Sequence, residues 1–373
     1  MNGKAVIAIA GALVLVGLVV FRHSQPAAHP PSSEHSSSRS VKRMTGPRLP
    51  APPLPANAEA VEPQTETLQP TNLISRWLKE QKTPSLTPEQ VEAYLRQNHR
   101  QAESLLTVWQ ITGDRSFMRE AMENDPNDPR VAFMAACLYG PYESDAEAAK
   151  TRRQWLDAFK LSAPDNALAN YLSASEHFKS GQPDRAVQEL LAAGTKPMQD
   201  YALDFIQNNE EAYRSAGYSD AEAKAVATFS LLLPQLTEFK QLSLSLVDLA
   251  KAYRQAGDEA SAQATLQMAS NLGQRLEGSG TLTLIQSLVG ISVQRNALNA
   301  MDPNSPYGDS GQTVQNQIDA LNERRASVKD IAKQADAVLS TLSDQDLTTY
   351  FDRVKLFGEE ATVRWAVKRF GQQ

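Results

Sequence analysis

The strongest constraint on the fold of this chain is a regular spacing of small and apolar residues between positions 243 and 277. They recur at intervals of three and four on both sides of the pair Gly257-Asp258. Before the pair they are Leu246, Leu249, Ala250 and Tyr253, and after it they are Ala262, Leu266 and Ala269. Such intervals place side chains on one face of an α-helix. Small side chains at positions 250 and 262 allow two helix axes to approach closely. The stretch therefore predicts an antiparallel helical hairpin whose second helix ends at Glu277, before Gly278.

The composition extends this prediction to the chain after residue 70. Glycine is sparse there, alternating runs of β-branched residues are rare, and Ala, Leu, Gln, Glu, Lys and Arg dominate. This mixture favours helix over strand. We expect an all-α fold.

Two other stretches repeat the hairpin pattern less closely. In "NYLSASEHFKSGQPDRAVQELLAA" the turn falls at Gly181, and in "SLLTVWQITGDRSFMREAMENDPNDP" it falls at Gly113, before a second helix that looks short. The interval from Gly113 to Gly181 is twice a repeat length of about 34 residues, which leaves room for one further hairpin between them. The interval from Gly181 to Gly257 is longer and is not a multiple of that length, so the period is broken there.

These stretches resemble tetratricopeptide repeats (TPRs), which are helical hairpins of about 34 residues. The resemblance covers about residues 89–277, with Ser173 and His177 in place of the usual Leu and Tyr. It implies a solenoid of stacked hairpins with a groove lined by first-helix residues that lie off the packing stripe. The residues so placed are Tyr171, Ser175, Phe178, Lys179, Val247, Lys251 and Arg254. Lys251 and Arg254 could hold a carboxylate of a protein or peptide partner, and an ordinary solvated face is the alternative for each of the seven.

Hydroxyl-bearing residues followed three positions later by Glu or Gln mark helix starts, because the two side chains satisfy free backbone donors reciprocally. The pairs are Thr87 with Gln90, Ser144 with Glu147, and Ser219 with Glu222.

Beyond the repeats, a helix is expected over residues 282–301, followed by "DPNSPYGDSG". This segment predicts a turn that caps the next helix; the alternative, a calcium loop using Asp302, Asn304 and Asp309, lacks the glycine and the closing glutamate of an EF-hand. A long helix is then expected from about Gln312 to Thr341, and its apolar stripe is Val314, Ile318, Leu321, Val328, Ile331, Ala335 and Val338. Two short helices are expected near Asp344 to Leu356 and Glu359 to Phe370.

The stripe of the long helix alternates intervals of four and three residues, with Arg325 as an interruption. This spacing fits packing against the two short helices, and it also fits a coiled-coil-like homo-oligomer.

The amino-terminal segment predicts a membrane anchor. Residues 5–21, "AVIAIAGALVLVGLVVF", carry no charge and would form a helix about 25 Å long, near the lower limit for a bilayer span. A cleaved signal peptide is the alternative, although "PAAH" is a poor cleavage site. Basic residues favour the cytoplasmic side of a membrane span, and here Lys4 precedes the span while five basic residues follow it, so charge alone does not decide the orientation. We expect a single-pass protein of the inner (cell) membrane with its body on the non-cytoplasmic side, and the cytoplasmic orientation is the alternative.

Residues 22–70 predict a tether, because they hold 10 of the 21 prolines, a serine cluster and hardly any large apolar side chain. After residue 70 the chain has 31 Lys and Arg against 39 Asp and Glu. Such an acidic body argues against nucleic acid as the partner, since binding to phosphate backbones needs a basic surface. We divide the chain into an anchor (1–21), a tether (22–70), a helical repeat region (71–300) and a carboxy-terminal region (301–373).

The sequence offers little for catalysis. The histidines of the sequence after residue 70 are His99 and His177, and they do not have the spacing of a metalloprotease zinc motif. The sequence has no Walker A, GxSxG or dinucleotide-binding motif. His177 falls at a packing position, where a satisfied, partly buried imidazole is expected. The acidic pairs Glu210-Glu211 and Glu359-Glu360 could serve glycoside chemistry but are common on helical proteins. Cys137 stands alone, so no disulfide forms within the chain, and a buried, inert thiol is expected.

These observations favour a membrane-tethered, exported, TPR-like scaffold or adaptor that binds another protein, without enzymatic activity, cofactor or metal. A structural protein of the cell envelope that oligomerises through the long helix is the alternative. An exported enzyme is a weaker third hypothesis.

Overall fold

The fold is described from a computed structural model of the chain. The structure describes residues 72–80, 83–138, 146–278, 281–308 and 311–371. Their helices, in chain order, are α1 (Leu73–Glu80), α2 (Pro88–Gln97), α3 (Ala102–Thr112), α4 (Arg115–Asn124), α5 (Pro129–Leu138), α6 (Ala146–Ser162), α7 (Ala167–Lys179), α8 (Pro183–Ala193), α9 (Ala202–Ser215), α10 (Asp220–Phe229), α11 (Gln235–Gln255), α12 (Glu259–Glu277), α13 (Leu284–Leu298), α14 (Val314–Leu339) and α15 (Asp344–Phe370). Two short strands, β1 (Pro306–Tyr307) and β2 (Gln312–Thr313), pair antiparallel between α13 and α14.

The expected fold class is confirmed. The part of the chain that the structure describes is all-α apart from this small hairpin, and successive helices pack as hairpins: α3 with α4, α5 with α6, α7 with α8, α9 with α10, and α11 with α12. Within the described ranges, no helix combines the length and the apolar character needed to cross a membrane. The anchor and the tether expected over residues 1–70 lie outside these ranges.

The hairpin predicted from the best-matching stretch is present. Leu246, Ala250, Ala262 and Leu266 are fully buried where α11 and α12 face each other. The turn has Gly257 at φ 77°, and the carboxylate of the next residue accepts a hydrogen bond from the backbone N of Ser261. The second helix ends at Glu277, with Gly278 as its cap, as predicted.

The helix caps predicted from the sequence are confirmed where they are described. Thr87 with Gln90, and Ser219 with Glu222, form reciprocal hydrogen bonds at the starts of α2 and α10. Ser144 lies outside the described residues. Each such cap stabilises its helix by about 1 kcal/mol, so the local sequence sets these boundaries.

The hairpin α9–α10 departs from regular stacking. It does not continue the stack beside α7–α8; instead α9 packs on α2 and α3, while α10 packs on α15. The helix α11 takes the place beside α7. This detour accounts for the irregular interval between Gly181 and Gly257, because a hairpin that leaves the stack need not obey its period.

The carboxy-terminal helices pack within the chain. The stripe of α14 is buried apart from Ile318, which is half-buried, and α14 packs against α13 and α15. Thr313 and Asn316 form a capping box at its start, so "DPNSPYGDSG" leads into a capped helix. The two expected short helices are present as the two parts of α15, which is interrupted by non-helical backbone at Gly358.

A buried cluster crosses the proposed boundary at residue 300. It joins Ile206, Ala225 and Ile291 with Val328 and Phe351, so α9, α10, α13, α14 and α15 share one core. The helix α1 belongs to the same cluster through Leu73 and Ile74. The side chain of Asn72 donates to the backbone oxygens of Leu339 and Leu342, where α14 ends. The first described helix is therefore seated on the last hairpin.

The bend at Gly358 is fixed by contacts with the start of α13. The backbone N of Glu359 donates to Leu282 O at 2.9 Å, and the carboxylate of Glu359 accepts from Leu284 N at 2.7 Å. Gly358 itself has φ 77°, and a Cβ there would lie 2.7 Å from Thr281 O. A glycine is required by both its conformation and its surroundings.

Replacing Gly358 with alanine is expected to lower the free energy of unfolding by about 2 kcal/mol, because the backbone at φ 77° and ψ 165° is strained for a residue with a Cβ and because that Cβ would clash with Thr281 O. Urea unfolding followed by circular dichroism measures the change. Gly257→Ala is the matched control, since it has the same φ but nothing within 4 Å of its Cβ, and about 1 kcal/mol of strain is expected there. Equal losses in the two variants would show that the Thr281 contact is unimportant.

Candidate functional site

A buried ion-pair network lies where α6, α7 and α11 meet. The guanidinium of Arg152 contacts the carboxylate of Glu176 and lies 3.3 Å from Glu238, and its Nε donates to Ala136 O at 3.1 Å. The three side chains of the network are 3%, 9% and 4% exposed. One arginine therefore serves two buried carboxylates and the last turn of α5.

The second carboxylate of this network is also held by two residues that the resemblance placed in an open groove. Ser175 Oγ donates to Glu238 at 2.7 Å, and Lys179 Nζ donates to both of its oxygens at 2.9 and 3.0 Å. Burial raises the pKa of Glu238, but Arg152, Lys179 and the hydroxyl outweigh it and leave this pKa below its usual value. The carboxylate is therefore charged near neutral pH.

The groove assignment is corrected at Tyr171 and Ser175. Both are buried, at 4% and 3% exposure, and the ring of Tyr171 packs edge-on against Phe239 with centroids 5.9 Å apart. The reason is that α11 starts at Gln235, ahead of the assumed start of the repeat unit at Ser243. Its first two turns lie on α7 and cover the face that a regular TPR stack would leave open.

Phe178 and Lys179 lie at the edge of the same contact. Phe178 packs against the larger buried cluster and is half-buried, whereas Lys179 keeps 37% of its side chain exposed while bonding to Glu238. Neither side chain is free for a partner without loss of an existing contact.

The three predicted residues on α11 have different surroundings. Val247 is half-buried against the hairpin core. Arg254 bonds to Glu259 and to the backbone oxygen of Ala300, so it joins α11 to the end of α13. Lys251 is 60% exposed and pairs with Asp248 on its own helix. Of the two basic residues, Lys251 is the one available at the surface.

Ser173 and His177, the unusual residues of the second repeat stretch, join a polar cluster between α6, α7 and α8. At its centre Glu189 accepts from Lys160 Nζ at 2.6 Å, Asn170 Nδ2 at 2.7 Å and Ser173 Oγ at 3.0 Å. Burial raises the pKa of Glu189, but these donors bring it below its usual value. Ser173 and His177 both lie beside this carboxylate.

His177 is partly buried and hydrogen-bonded, as the sequence indicated. Its Nδ1 donates to Gln182 Oε1 at 3.2 Å, and Nε2 accepts from Arg153 at 3.4 Å. Burial and the nearby Arg153 lower its pKa. A cleft of about 380 Å³ adjoins it, lined also by Arg185 and Gln188. Both ring nitrogens are already engaged in this arrangement.

A second cleft of about 380 Å³ lies at the bend of α15. The residues that line it include Thr281, Thr283, Arg324, Phe357 and Arg364. Its charged residues are paired: the carboxylate of Glu360 accepts from Arg324 at 2.6 Å and from Arg364 at 3.0 Å. Arg364 nevertheless keeps 56% of its side chain exposed.

The bend brings Trp365 to Arg353 and Phe357, which a straight helix would keep far from it. The guanidinium carbon of Arg353 lies 4.7 Å from the ring centroid of Phe357 and 4.4 Å from that of Trp365. In a continuous helix, positions 353 and 365 would be about 18 Å apart along the axis. The arginine is therefore held between two aromatic rings, an arrangement typical of cation–π contacts.

Three of the four carboxylates considered for glycoside chemistry take part in structural contacts, and the fourth, Glu211, is exposed. Glu359 caps α13, and its neighbour Glu360 bonds to two arginines. Glu210 pairs with Lys355 and Arg214. Cys137 is partly buried, and burial raises its pKa to about 12, so the thiol is protonated and weakly reactive at neutral pH. Among the described residues, no group of three or more His, Cys, Asp or Glu side chains is placed to hold a metal ion.

Sequence reasoning missed the Arg353 contacts and the Arg152 network. The Arg353–Phe357 spacing of four residues was a visible signal, but Trp365 joins it only because the chain bends. Comparison with protein-family models, curated proteins and solved structures found no match to this chain.

Proposed function

We propose that this protein is a membrane-tethered, exported scaffold of TPR-like hairpins that binds another protein. The observation that carries the proposal is the packing of successive α-helices as stacked hairpins, since proteins built of repeated hairpins commonly use them to present binding surface. The apolar segment at residues 5–21 and the proline-rich segment at residues 22–70 support a tether. The paired state of the buried carboxylates favours a structural over a catalytic use of these groups.

The part of the predicted groove that remains open is the face of α11 around Lys251. Its ammonium group lies 2.9 Å from Asp248, and both side chains are more than half exposed. An exposed pair of this kind contributes little to stability. Lys251 is therefore free to change partner when an acidic segment approaches.

Lys251→Glu is expected to reduce the yield of a crosslinked partner about threefold, since a charge at the rim of an interface mainly alters association. The measurement is crosslinking of the full-length chain in cells, followed by mass spectrometry. Lys333→Glu is the matched control, because Lys333 also pairs with an aspartate three residues earlier and is similarly exposed. Thermal unfolding should be unchanged in both variants.

Two outcomes would count against the proposal at different levels. If the wild-type chain crosslinks reproducibly to no protein, the scaffold function is rejected. If a partner is captured equally by wild type and Lys251→Glu, the α11 face is rejected as its site. Arg254 is unsuitable for this test, because its reversal would also remove bonds to Glu259 and Ala300.

A further inference from the structure

Two neighbouring large apolar side chains are exposed at the bend of α15. Leu356 is 74% exposed and Phe357 is 57% exposed. Adjacent apolar side chains in water favour a partner that covers them. Phe357 also borders the cleft of about 380 Å³. The surface is thus both apolar and concave.

Arg353 adds an oriented cation to this surface. Its guanidinium carbon lies over the rings of both Phe357 and Trp365, which hold the side chain in place. Arg353 is partly buried, and its Nε is buried without a hydrogen-bond partner, so the two terminal guanidinium nitrogens are the donors open to a ligand. In the described ranges no carboxylate lies within ion-pair distance of this guanidinium. Because the rings already hold the side chain in place, an incoming carboxylate would lose little affinity to side-chain ordering.

The charge around the bend is opposite to that of the body. Residues 353–371 contain five basic side chains against two carboxylates, whereas the chain after residue 70 is acidic overall. Arg364 in this segment is 56% exposed. Such a local excess of positive charge attracts an acidic segment.

On the basis of the scaffold function above, we propose that the bend of α15 binds a peptide segment of a partner protein in which an apolar side chain adjoins an Asp or Glu. The apolar side chain enters the cleft beside Phe357, and the carboxylate bonds to the guanidinium edge of Arg353. The concave shape favours a peptide over a flat lipid surface, because a cleft accommodates one side chain at a time. Leu356 covers the flank of the bound segment.

The test uses a displayed library of random dodecamer peptides. The library is selected on the full-length chain in phosphatidylcholine nanodiscs, with counter-selection on Arg353→Glu in the same discs. Enriched peptides are then synthesised, and their affinities are measured by fluorescence anisotropy. We expect an apolar residue within two positions of an Asp or Glu, and about a tenfold loss of affinity with Arg353→Glu, since a hydrogen bond to a charged group contributes at this level.

Further variants separate loss of binding from loss of folding. Leu356→Ser changes a side chain that is already exposed, so its helical content should match wild type while peptide affinity falls about fivefold. Arg119→Glu places the same charge change on an exposed position of α4 and should leave affinity unchanged. Arg353→Lys retains the charge but lacks the planar fork, and an intermediate affinity is expected.

The proposal is overturned if enriched peptides lack acidic residues or bind Arg353→Glu as tightly as wild type. It is also overturned if replacing part of the phosphatidylcholine with an anionic lipid, rather than adding peptide, protects residues 353–370 from hydrogen exchange. Concentration-dependent self-association abolished by Leu356→Ser would assign the surface to a second copy instead. If crosslinking in cells captures a partner equally with wild type and Arg353→Glu, the scaffold function stands and this site does not.

Discussion

Replacing Arg152 with methionine is expected to lower the free energy of unfolding by about 3–5 kcal/mol, the cost of breaking a buried ion pair by removing one partner. The substitution preserves most of the side-chain volume, so the loss does not come from a cavity. It leaves Glu176 buried without the arginine and Glu238 with Lys179 as its remaining cation, and it removes the donor to Ala136 O. Chemical denaturation at pH 7 measures the change.

The pH dependence of this deficit provides an independent check. In the wild type the pKa of Glu238 in the folded protein lies below its usual value. The charged carboxylate therefore stabilises the fold at pH values above the usual pKa, and this stabilisation is lost as the pH falls through the pKa of the folded state. Without Arg152, burial of the Glu238 carboxylate lowers the free energy of unfolding only while that group is charged. The difference in the free energy of unfolding between Arg152→Met and wild type should therefore shrink as the pH falls from 7 towards about 4.

Two comparisons identify the cause of the Arg152 effect. Lys251→Met removes a cation from an exposed pair and should change stability by less than about 0.5 kcal/mol. Adding Glu176→Gln and Glu238→Gln to Arg152→Met should recover much of the loss, because the uncompensated charges are gone. The assigned role of the network would be contradicted if Arg152→Met were as stable as wild type. It would also be contradicted if the triple variant were no more stable than Arg152→Met alone.

Gly273→Ala is expected to lower the free energy of unfolding by about 3 kcal/mol, because α12 and α13 cross through two facing glycines. A Cβ on Gly273 would lie 2.6 Å from Gly290 O and 2.8 Å from Gln294 N, and both atoms are backbone. A Cβ on Gly290 would meet Gly273 O at 2.7 Å. Neither helix can yield without shifting as a whole.

The sign of this effect distinguishes packing from helix propensity. Alanine in a helix interior is favoured over glycine by roughly 0.5–1 kcal/mol, so propensity alone predicts stabilisation. Gly278→Ala is the control at the end of the same helix, where the nearest atoms to a new Cβ are 3.5 Å away, and it should be close to neutral. Denaturant midpoints of the two variants give the comparison, and a stabilised Gly273→Ala would show that the helices are not in close contact.

Local sequence signals predicted the helices well, because caps and three-to-four spacing act over a few residues. The ends of α12 and the capping box at Thr87 follow from such short-range chemistry. A glycine at position 358 marked the break in α15, but the bend itself is fixed by contacts with α13. Gly273 and Gly290, both inside helices, were also visible signals of close packing, since glycine is otherwise unfavourable there. The repeat class itself stays a prediction.

The arrangement of the hairpins could not be predicted in the same way. Whether α9–α10 or α11 lies on α7 depends on contacts between residues far apart in sequence, such as Glu238 with Arg152 and Lys179. A polar residue at a packing position, such as Ser175, signals such a contact but does not name its partner. For that reason the sequence identified a helical surface but misjudged which of its residues are open.

The seating of α1 on the end of α14 has a mechanical consequence. Tension arriving from the residues before position 72 would act first on the bonds of Asn72 to Leu339 and Leu342 and on the burial of Leu73. It would then pass into α14 and α15, bypassing the hairpins α3 to α8. Those hairpins could keep their shape under load, while the seam between the first and last helices would be the place to yield.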